Sequence, residues 1–344
     1  GNCDWSNLSN QCKAVYWLCE KTDKSILNLT EEDYNQNGMS ELLNLEGNYY
    51  DLNIKMFNRL QNTITGWPGG KANADDSNRP ERRMPEKKRS IIFSPHPDDD
   101  VISMGGTFDR LVSQGHEVYV AYQTSGNIAV SDDEALKYIE VISDISDDSA
   151  AYEAIKKELL HKEKNTIDSL ALRKLKGTIR KRESLAATRY IGIPDDQVHF
   201  LNLPFYESGK IKKNPPSQVD IDITNQLIET IKPHQIFAAG DLADPHGTHR
   251  ICLEILFDSI TQLKTAPFMK DCWVWLYRGA WQEFEVHEIE MAVPMSPDQV
   301  LRKRKAIFYH QSQKDSVMFQ GSDDREFWLR AEERNRLSAK RYRD

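Results

Sequence analysis

The chain has 344 residues, of which 39% are hydrophobic and 28% charged, and its formal net charge is -8. This composition is ordinary for a folded globular protein. The net negative charge argues against a broad basic surface for nucleic acid or anionic membranes, and no apolar run approaches the roughly 20 residues of a membrane-spanning helix. The five cysteines form no Cys-x-x-Cys pair, which favours buried thiols and a reducing, cytoplasmic location.

Apolar residues in the first 65 positions recur at helical spacing. They are Ala14, Val15, Trp17 and Leu18 in one stretch and Leu52, Met56 and Leu60 in another. We therefore expect residues 1–65 to form a helical extension. Residues 66–89 are rich in glycine, proline and charge and almost without aliphatic side chains, which predicts a linker. The main domain is then expected at 90–344.

The central stretch of the chain, residues 90–107, reads SIIFSPHPDDDVISMGGT. Its short apolar run predicts a strand, the acidic residues after His96 predict a loop, and the amphipathic segment that follows predicts a helix ending at Gly115. Residues 118–122 predict a second strand. Because strand, helix and strand in this order form a right-handed crossover, the pattern indicates a parallel sheet and an α/β fold.

The rest of the domain continues this alternation. Predicted strands lie at 198–201, 236–239, 273–277 and 285–292, and predicted helices at 166–191, 218–231, 248–263 and 324–342. The acid-rich residues 131–174 form a predicted helical insertion, for which a solvated surface is the default interpretation. Gly177, inside the longest predicted helix, leaves open whether that helix is continuous.

Two polar loops that follow predicted strands carry histidine and aspartate: HPDDD at 96–100 and HGTH at 246–249. Because ligands bind at the carboxyl ends of parallel strands, both loops can open on the same edge of the sheet. A catalytic zinc site uses three nitrogen or oxygen ligands, which His96, Asp99 and His249 could supply. Asp98 and His246 would then remain for proton transfer and for stabilising an oxyanion during amide hydrolysis.

Each part of this pattern also has a purely structural interpretation. Consecutive aspartates after a strand often cap a helix N-terminus, and Asp100 in particular fits that role. A His-x-x-His spacing in a loop, such as that of His246 and His249, is often incidental. Spacing alone therefore leaves both a metal site and a structural role open.

HPDDD after a strand, followed by GGT, resembles the AHPDDE signature of the LmbE/PIG-L family of zinc-dependent N-deacetylases, which act on N-acetylglucosamine-type sugars. The downstream HGTH matches the second signature of that family. Further similar features are Arg180-x-x-Glu183 and the late Lys305 with His310-x-Ser312-Gln313. The resemblance spans about residues 90–313 and implies a Rossmann-like three-layer α/β/α domain with a mostly parallel sheet.

The resemblance also implies roles for the residues of the two loops. His96, Asp99 and His249 correspond to the metal ligands of the family, which suit zinc and, similarly, iron. Asp98 corresponds to the general base. His246 corresponds to the group that stabilises the oxyanion.

Three further residues are expected at the substrate. Arg180 matches a position that approaches the substrate in the family, and Ser125 and Asn127 belong to a loop similar to one that lines the pocket. Two simpler alternatives stay open at this point. Arg180 could pair with Glu183 on one helix face, and Gly126 could simply make a turn.

The sequence departs from the family pattern in three places. Pro95 stands where alanine is usual and Asp100 where glutamate is usual, which should alter contacts around the metal ligands rather than the ligands themselves. The insertion at 131–174 is expected to roof the site or to face a partner domain. Lys305 and His310 are expected to have structural roles.

The whole chain also resembles the C-terminal half of bacterial fusion proteins whose upstream half resembles glucosamine-6-phosphate deaminase. This implies an upstream deaminase-like domain of the same full-length chain as partner, with residues 1–65 as its tail, and no nucleic-acid or membrane partner. We expect a hydrolase that removes an N-acetyl group from an N-acetylglucosamine-type sugar, 6-phosphorylated or not. Two alternatives are aldose-ketose isomerisation with deamination, and a noncatalytic partner or regulatory module.

Overall fold

A computed structural model describes residues 4–61, 85, 87–146, 150–163, 166–210, 212–285, 288, 291–314 and 325–343. The chain forms two compact units, Gly1–Arg83 with Glu290–Val300 and Met84–Ile289 with Leu301–Asp344. Apart from 85 and 87–89, the predicted linker lies outside the described residues, and the predicted boundaries at 65 and 90 stay predictions. Among the described residues, no helix is both long and apolar enough to span a bilayer.

The first unit is helical, as predicted for residues 1–65. Its helices are α1 (Leu8–Thr22), α2 (Glu31–Gln36), α3 (Ser40–Glu46) and α4 (Tyr49–Gln61). Their apolar faces pack around a cluster that includes the fully buried Leu18, Leu42 and Met56. Thr30 begins α2 with a capping box, in which its hydroxyl accepts from the backbone N–H of Asp33 and the Asp33 carboxylate accepts from the backbone N–H of Thr30.

The second unit is built around a five-stranded sheet in which every neighbouring pair is parallel. Its strands are β1 (Arg89–Ser94), β2 (Glu117–Tyr122), β3 (Val198–Phe200), β4 (Gln235–Ala239) and β5 (Trp273–Tyr277), in the spatial order β3-β2-β1-β4-β5. The predicted α/β class and its parallel sheet are confirmed. The strand predicted at 285–292 is wrong for the residues that the structure describes there, since Glu285, Glu288, Met291 and Ala292 form no strand.

The remaining α-helices of the described chain are α5 (Asp99–Ser113), α6 (Asp132–Ile145), α7 (Ala150–His161), α8 (Leu170–Ile191), α9 (Gln218–Ile231), α10 (Thr248–Leu263), α11 (Pro297–Phe308) and α12 (Phe327–Arg343). The connections through α5 and α8 step from β1 towards β3, whereas those through α9 and α10 step towards β5. Right-handed crossovers that step in opposite directions place their helices on opposite faces, which gives the expected Rossmann-like three layers. The strand order reverses between β1 and β4.

One face of the sheet is an apolar layer that fixes the positions of β1 and β4. Phe93 and Ile236 from these strands pack with Ile228 of α9 and Leu256 of α10, and all four side chains are buried. Because side chains alternate along a strand, a slip of one residue would turn Phe93 away from this layer. The apolar packing therefore sets where the loops after β1 and β4 begin.

Helix α8 is continuous through Gly177 and begins at Leu170, four residues later than predicted. The side chain of Ser169 marks its start by accepting a hydrogen bond from the backbone N–H of Leu172 at 3.2 Å. A Cβ added at Gly177 would lie 3.2 Å from Cβ of Ser125, a closer approach than side chains normally make. Glycine at this position lets the loop after β2 pack directly on the helix.

Candidate active site

The loops after β1 and β4 open at the carboxyl edge of the sheet, where the strand order reverses. They bring together His96, Asp99 and His249, whose potential ligand atoms all lie within 4.8 Å of one another. Asp99 and His249 are buried, while His96 is half-buried. The structure therefore brings together the three residues predicted to be metal ligands.

Asp99 is the first residue of α5 and links the two histidines. Its Oδ2 atom accepts a hydrogen bond from the backbone N–H of His96 at 2.8 Å and lies 3.2 Å from Nδ1 of the same residue. The same oxygen lies 3.2 Å from Nε2 of His249. Burial alone would raise the pKa of Asp99, but His249 and His96 outweigh it and hold that pKa well below its ordinary value.

A main-chain carbonyl group orients the imidazole of His249. Its Nδ1 lies 2.8 Å from the carbonyl oxygen of Asp241, so this nitrogen carries the proton and Nε2 faces Asp99. Nε2 is buried, and its neighbour in the cluster is Oδ2 of Asp99 at 3.2 Å. Burial would lower the pKa of His249, but Asp99 raises it to about 9.

These donors suit a divalent ion of the zinc type. Two imidazole nitrogens and one carboxylate form a common three-ligand set of catalytic zinc sites, and Nε2 of His249 points into this cluster, 3.2 Å from Oδ2 of Asp99. Metal binding requires deprotonated histidines, so an ion would replace the proton that Asp99 and His249 otherwise share.

Asp98 lies beside this cluster and forms an ion pair with Arg180. Nη2 of Arg180 is 2.9 Å from Oδ1 of Asp98, and both side chains are buried. Burial raises the pKa of Asp98, and the Arg180 charge opposes that rise. The alternative pairing of Arg180 with Glu183 is wrong, because Glu183 instead accepts hydrogen bonds from the backbone N–H and the hydroxyl of Ser312, both at 2.7 Å.

The late part of the chain reaches the site through the same segment as Ser312. Gln313 lines the pocket, and its side-chain amide donates to the carbonyl oxygen of Ala129 at 2.9 Å. His310 is fully buried, and burial lowers its pKa to about 3, so its imidazole is neutral. Lys305 is exposed. The expected structural roles of Lys305 and His310 stay predictions.

Ser125 and Asn127 form a polar support behind the pocket wall. The Asn127 side-chain amide donates to Oγ of Ser125 at 2.7 Å and to Glu207 at 3.1 Å, and the backbone N–H of Ser125 donates to Glu207 at 3.3 Å. The pocket itself is lined by the next two residues, Ile128 and Ala129. The structure therefore places the predicted pair beside the pocket rather than in its lining.

Gly126, between these two residues, does make a turn, with φ of 64° in the left-handed region. A Cβ at this position would lie 2.9 Å from Cδ of Pro97 and 3.3 Å from Cζ of Arg180. The turn therefore also lets the backbone pack against the first active-site loop and the Arg180 guanidinium.

One open pocket of about 640 Å³ covers the cluster. Its polar lining includes His96, Asp98, Asp99, Arg180, Lys213, His246, Thr248 and Gln313, and its apolar and aromatic lining is Ile102, Ile128, Ala129, Tyr206, Trp281 and Phe327. His246 is half-buried, and burial lowers its pKa, so the imidazole is neutral near pH 7.

Residues 91–260 match the family model PIG-L, described as GlcNAc-PI de-N-acetylase. This match covers 170 of the 344 residues. A curated relative from Bacteroides thetaiotaomicron, named putative glucosamine-6-phosphate deaminase-like protein, is 54% identical over 99% of this chain and 53% of its own length. The chain thus spans about half the length of this relative. Its expected placement as the C-terminal half stays a prediction.

Two solved structures are similar to this chain at low sequence identity. One is N,N'-diacetylchitobiose deacetylase from Pyrococcus horikoshii, with 20% identity, a TM-score of 0.43, and coverage of 66% of this chain and 70% of that chain. The other is the zinc-inhibited form of teicoplanin deacetylase Orf2, with 16% identity, a TM-score of 0.44, and coverage of 73% and 93%.

Asp100 lies in the first turn of α5, and its side chain also reaches the end of β2. It is fully buried, Oδ2 accepts a hydrogen bond from the hydroxyl of Tyr122 at 2.9 Å, and its backbone N–H donates to Oγ of Ser94 at 3.1 Å. Burial raises the pKa of Asp100 to about 7. Asp100 therefore also connects the loop after β1 to the end of β2, so its role is not limited to the N-terminus of α5.

Several residues that line the pocket were not identified from the sequence. Tyr206 and Lys213 belong to the segment after β3. Because the carboxyl ends of parallel strands face one edge of the sheet, this segment could have been predicted to contribute to the site. Trp281 and Phe327 gave no sequence signal. They meet edge to face with ring centroids 5.9 Å apart, although 46 positions separate them in the chain.

Proposed function

We propose that this protein is a metal-dependent hydrolase that removes the N-acetyl group of an N-acetylglucosamine-type sugar. The observation that carries the proposal is the three-residue cluster of His96, Asp99 and His249 with Asp98 directly beside it in one pocket. The description of the PIG-L family as a GlcNAc-PI de-N-acetylase supports the same chemistry. Both the identity of the sugar and the hydrolysis of its N-acetyl amide are part of the proposal.

The metal would be held by His96, Asp99 and His249, and zinc suits this donor set best, with iron as the alternative. A bound ion of this kind supplies a Lewis acid that makes amide hydrolysis possible at neutral pH. The Asp241 carbonyl keeps the proton of His249 on Nδ1, which leaves Nε2 available as a ligand.

Asp98 would act as the general base. Oδ1 of Asp98 is engaged by Arg180, so Oδ2 is the atom that can take a proton from the attacking water. Burial raises the pKa of this carboxyl group, which makes it a better proton acceptor, while the Arg180 charge opposes that rise and its ion pair fixes the orientation of the carboxylate. Arg180 is therefore both a pocket residue and a positioning residue for the base.

His246 would stabilise the charge that develops on the amide oxygen. It lines the pocket close to the metal ligands, in the loop that leads into α10. Its imidazole is neutral in this environment and can donate one N–H hydrogen bond to an oxyanion. The aromatic side chains of Tyr206 and Trp281 give the pocket apolar faces against which a sugar ring can pack.

The phosphorylated sugar is a specific candidate substrate. The relative that is twice as long carries the name of a glucosamine-6-phosphate deaminase-like protein. Hydrolysis of N-acetylglucosamine 6-phosphate would yield the amino sugar on which such a deaminase acts. We therefore also propose a deaminase-like domain of the full-length protein as the partner of this chain, and we do not assign isomerisation or deamination to this chain itself.

The test is acetate release from N-acetylglucosamine and from its 6-phosphate by protein of known metal content, with and without a chelator. We expect acetate release that stops when the chelator is present and resumes when zinc is added back. Ammonia release from glucosamine 6-phosphate, with no acetate release from the acetylated sugars, would instead support the deaminase alternative. Metal-loaded protein that releases acetate from neither sugar would contradict the proposed substrate class.

A further inference from the structure

Lys213 lies in the pocket without a carboxylate partner within ion-pair distance in the described part of the chain. It lines the same pocket as His96, Asp98 and His246, although it comes from the segment between β3 and α9. Its side chain is half-buried, whereas the neighbouring Lys212 is exposed. A lysine that is partly withdrawn from water normally has a compensating partner, so its position calls for an explanation.

The ammonium group of Lys213 is fixed by one aromatic ring. Nζ lies 3.8 Å from the ring centroid of Tyr206 and donates a hydrogen bond to the carbonyl oxygen of Lys210 at 3.1 Å. Tyr206 in turn contacts the ring of His96 edge to face, at a centroid distance of 6.0 Å. One aromatic side chain therefore connects the ammonium group to the proposed metal ligands.

No carboxylate lies within ion-pair distance of Lys213 in the described part of the chain. The acid that interacts with it most strongly is Glu207, which is occupied by the backbone N–H of Ser125 and the side-chain amide of Asn127. Burial lowers the pKa of Lys213 to about 8, and Glu207 partly opposes this effect. The side chain is thus mostly charged at pH 7.

The other charges around the pocket are already balanced. Arg180 faces Asp98 at 2.9 Å, and Asp99 lies 3.2 Å from each of its two histidines. Lys213 therefore adds a positive charge that no neighbouring side chain within ion-pair distance neutralises. A ligand group with negative charge would supply the missing partner and would gain a charge-assisted hydrogen bond.

We propose that Lys213 determines substrate specificity by binding an anionic group, phosphate or carboxylate, on the acylated amino sugar. This inference rests on the proposed function and names the residue that would distinguish a charged substrate from a neutral one. Ser125 and Asn127 contribute indirectly, because they engage the Glu207 carboxylate that would otherwise be free to pair with Lys213.

The experiment measures kcat/KM for acetate release from N-acetylglucosamine, N-acetylglucosamine 6-phosphate and N-acetylmuramic acid. The wild type should prefer at least one of the two anionic sugars, and which one it prefers identifies phosphate or carboxylate. In Lys213→Gln the ratio of anionic to neutral kcat/KM should fall by roughly 10- to 100-fold, as expected when a hydrogen bond to a charged group is removed. Lys213→Arg should retain most of the preference.

Lys212→Gln is the matched control, because it removes an adjacent but exposed lysine, and it should leave the ratio unchanged. Equal efficiency on neutral and anionic sugars, or an unchanged ratio in Lys213→Gln, would overturn the inference. In either case chelator-sensitive acetate release would still support the deacetylase.

Equilibrium binding to the wild type tests the anion site without turnover. Calorimetry should show tighter binding of glucosamine 6-phosphate or muramic acid than of glucosamine, and Lys213→Gln should remove the difference. If all three bind equally, the inference fails. Because this readout needs no acetate release, it applies even if the proposed deacetylation itself is wrong.

Discussion

Nη2 of Arg180 lies 2.9 Å from Oδ1 of Asp98, and both side chains are buried. This ion pair joins the middle of α8 to the loop after β1, and it engages the oxygen of Asp98 that is not the proposed proton acceptor. Arg180 also lines the pocket, so it could contact the substrate as well. Kinetics of an Arg180 variant can separate these two roles.

Arg180→Gln should lower kcat by about 10- to 100-fold with a small change in KM, because it leaves the base without the group that orients it. Steady-state kinetics of acetate release measures both constants, with the exposed neighbour variant Arg182→Gln as control. A raised KM with unchanged kcat would instead assign Arg180 to substrate binding alone.

Asp98→Asn should reduce kcat by about 10²- to 10⁴-fold while the metal content stays the same, since an amide cannot take a proton and Asp98 is not among the three proposed ligands. The measurements are acetate release and elemental analysis of the dialysed protein. Asp133→Asn, which changes an exposed acid, serves as control. Turnover that survives in Asp98→Asn would remove Asp98 as the base.

His249→Ala and His246→Ala form a matched pair from one loop. The first should reduce bound metal from about one ion per chain to almost none, because it removes a ligand, whereas the second should keep the metal and lose activity. Elemental analysis after dialysis against metal-free buffer measures the difference. Equal metal content in the two variants would contradict the ligand assignment of His249.

Lys176→Met should destabilise the region around α6 and α8. Lys176 is buried and contacts Asp132 and Asp168 at 2.7 Å each, and Lys162 contacts the same two acids. Because Asp132 is partly exposed, we expect a loss of about 1–2 kcal/mol rather than the larger loss of a fully buried pair. Chemical denaturation measures the change.

The control for this prediction is Lys174→Met, which changes an exposed lysine two residues earlier on the same helix. It should alter the free energy of unfolding by less than about 0.5 kcal/mol. A Lys176→Met variant as stable as this control would mean that the four-residue charge network contributes nothing.

Lys303 should make the free energy of unfolding depend on pH in the alkaline range. Burial lowers its pKa from 10.5 to about 8, so between these values the unfolded chain binds more protons than the folded chain. Stability contributed by this group therefore rises with pH across that window, by on the order of 3 kcal/mol, and Lys303→Met should remove the rise. Denaturation at a series of pH values measures the slope.

Lys305→Met is the matched control for this pH series, since Lys305 is exposed on the same helix, α11. It should keep the wild-type slope. A Lys303→Met variant with the same slope as the wild type would mean that Lys303 stays charged in the folded protein, through the nearby Glu283 and Glu332 that favour its charged form.

The sheet was largely predictable because its signals are local. Short apolar runs at 91–93, 118–122 and 236–239 each fall inside an observed strand, and the prediction of 273–277 agrees with β5 at both ends. A buried parallel strand carries its own pattern of apolar side chains, so no distant contact is needed to recognise it. The strand predicted at 285–292 had a weaker, mixed pattern.

The cluster of His96, Asp99 and His249 was predictable for a related reason. His96 comes two residues after β1, Asp99 is the first residue of α5, and His249 is the second residue of α10. Parallel strands present their carboxyl ends to one edge of the sheet. The motif resemblance then selected these residues from the other acids of the chain. Their proposed roles still depend on the experiments described above.

The amino-acid sequence by itself determined the order of strands and helices and the two loops that carry histidine and aspartate, since backbone propensity and apolar periodicity act between near neighbours. The tertiary structure decided which side chains surround those loops. Glu183 bonds to Ser312 across 129 positions, and Trp281 meets Phe327 across 46. Pairings of this kind depend on how the whole unit packs, and no local pattern encodes them.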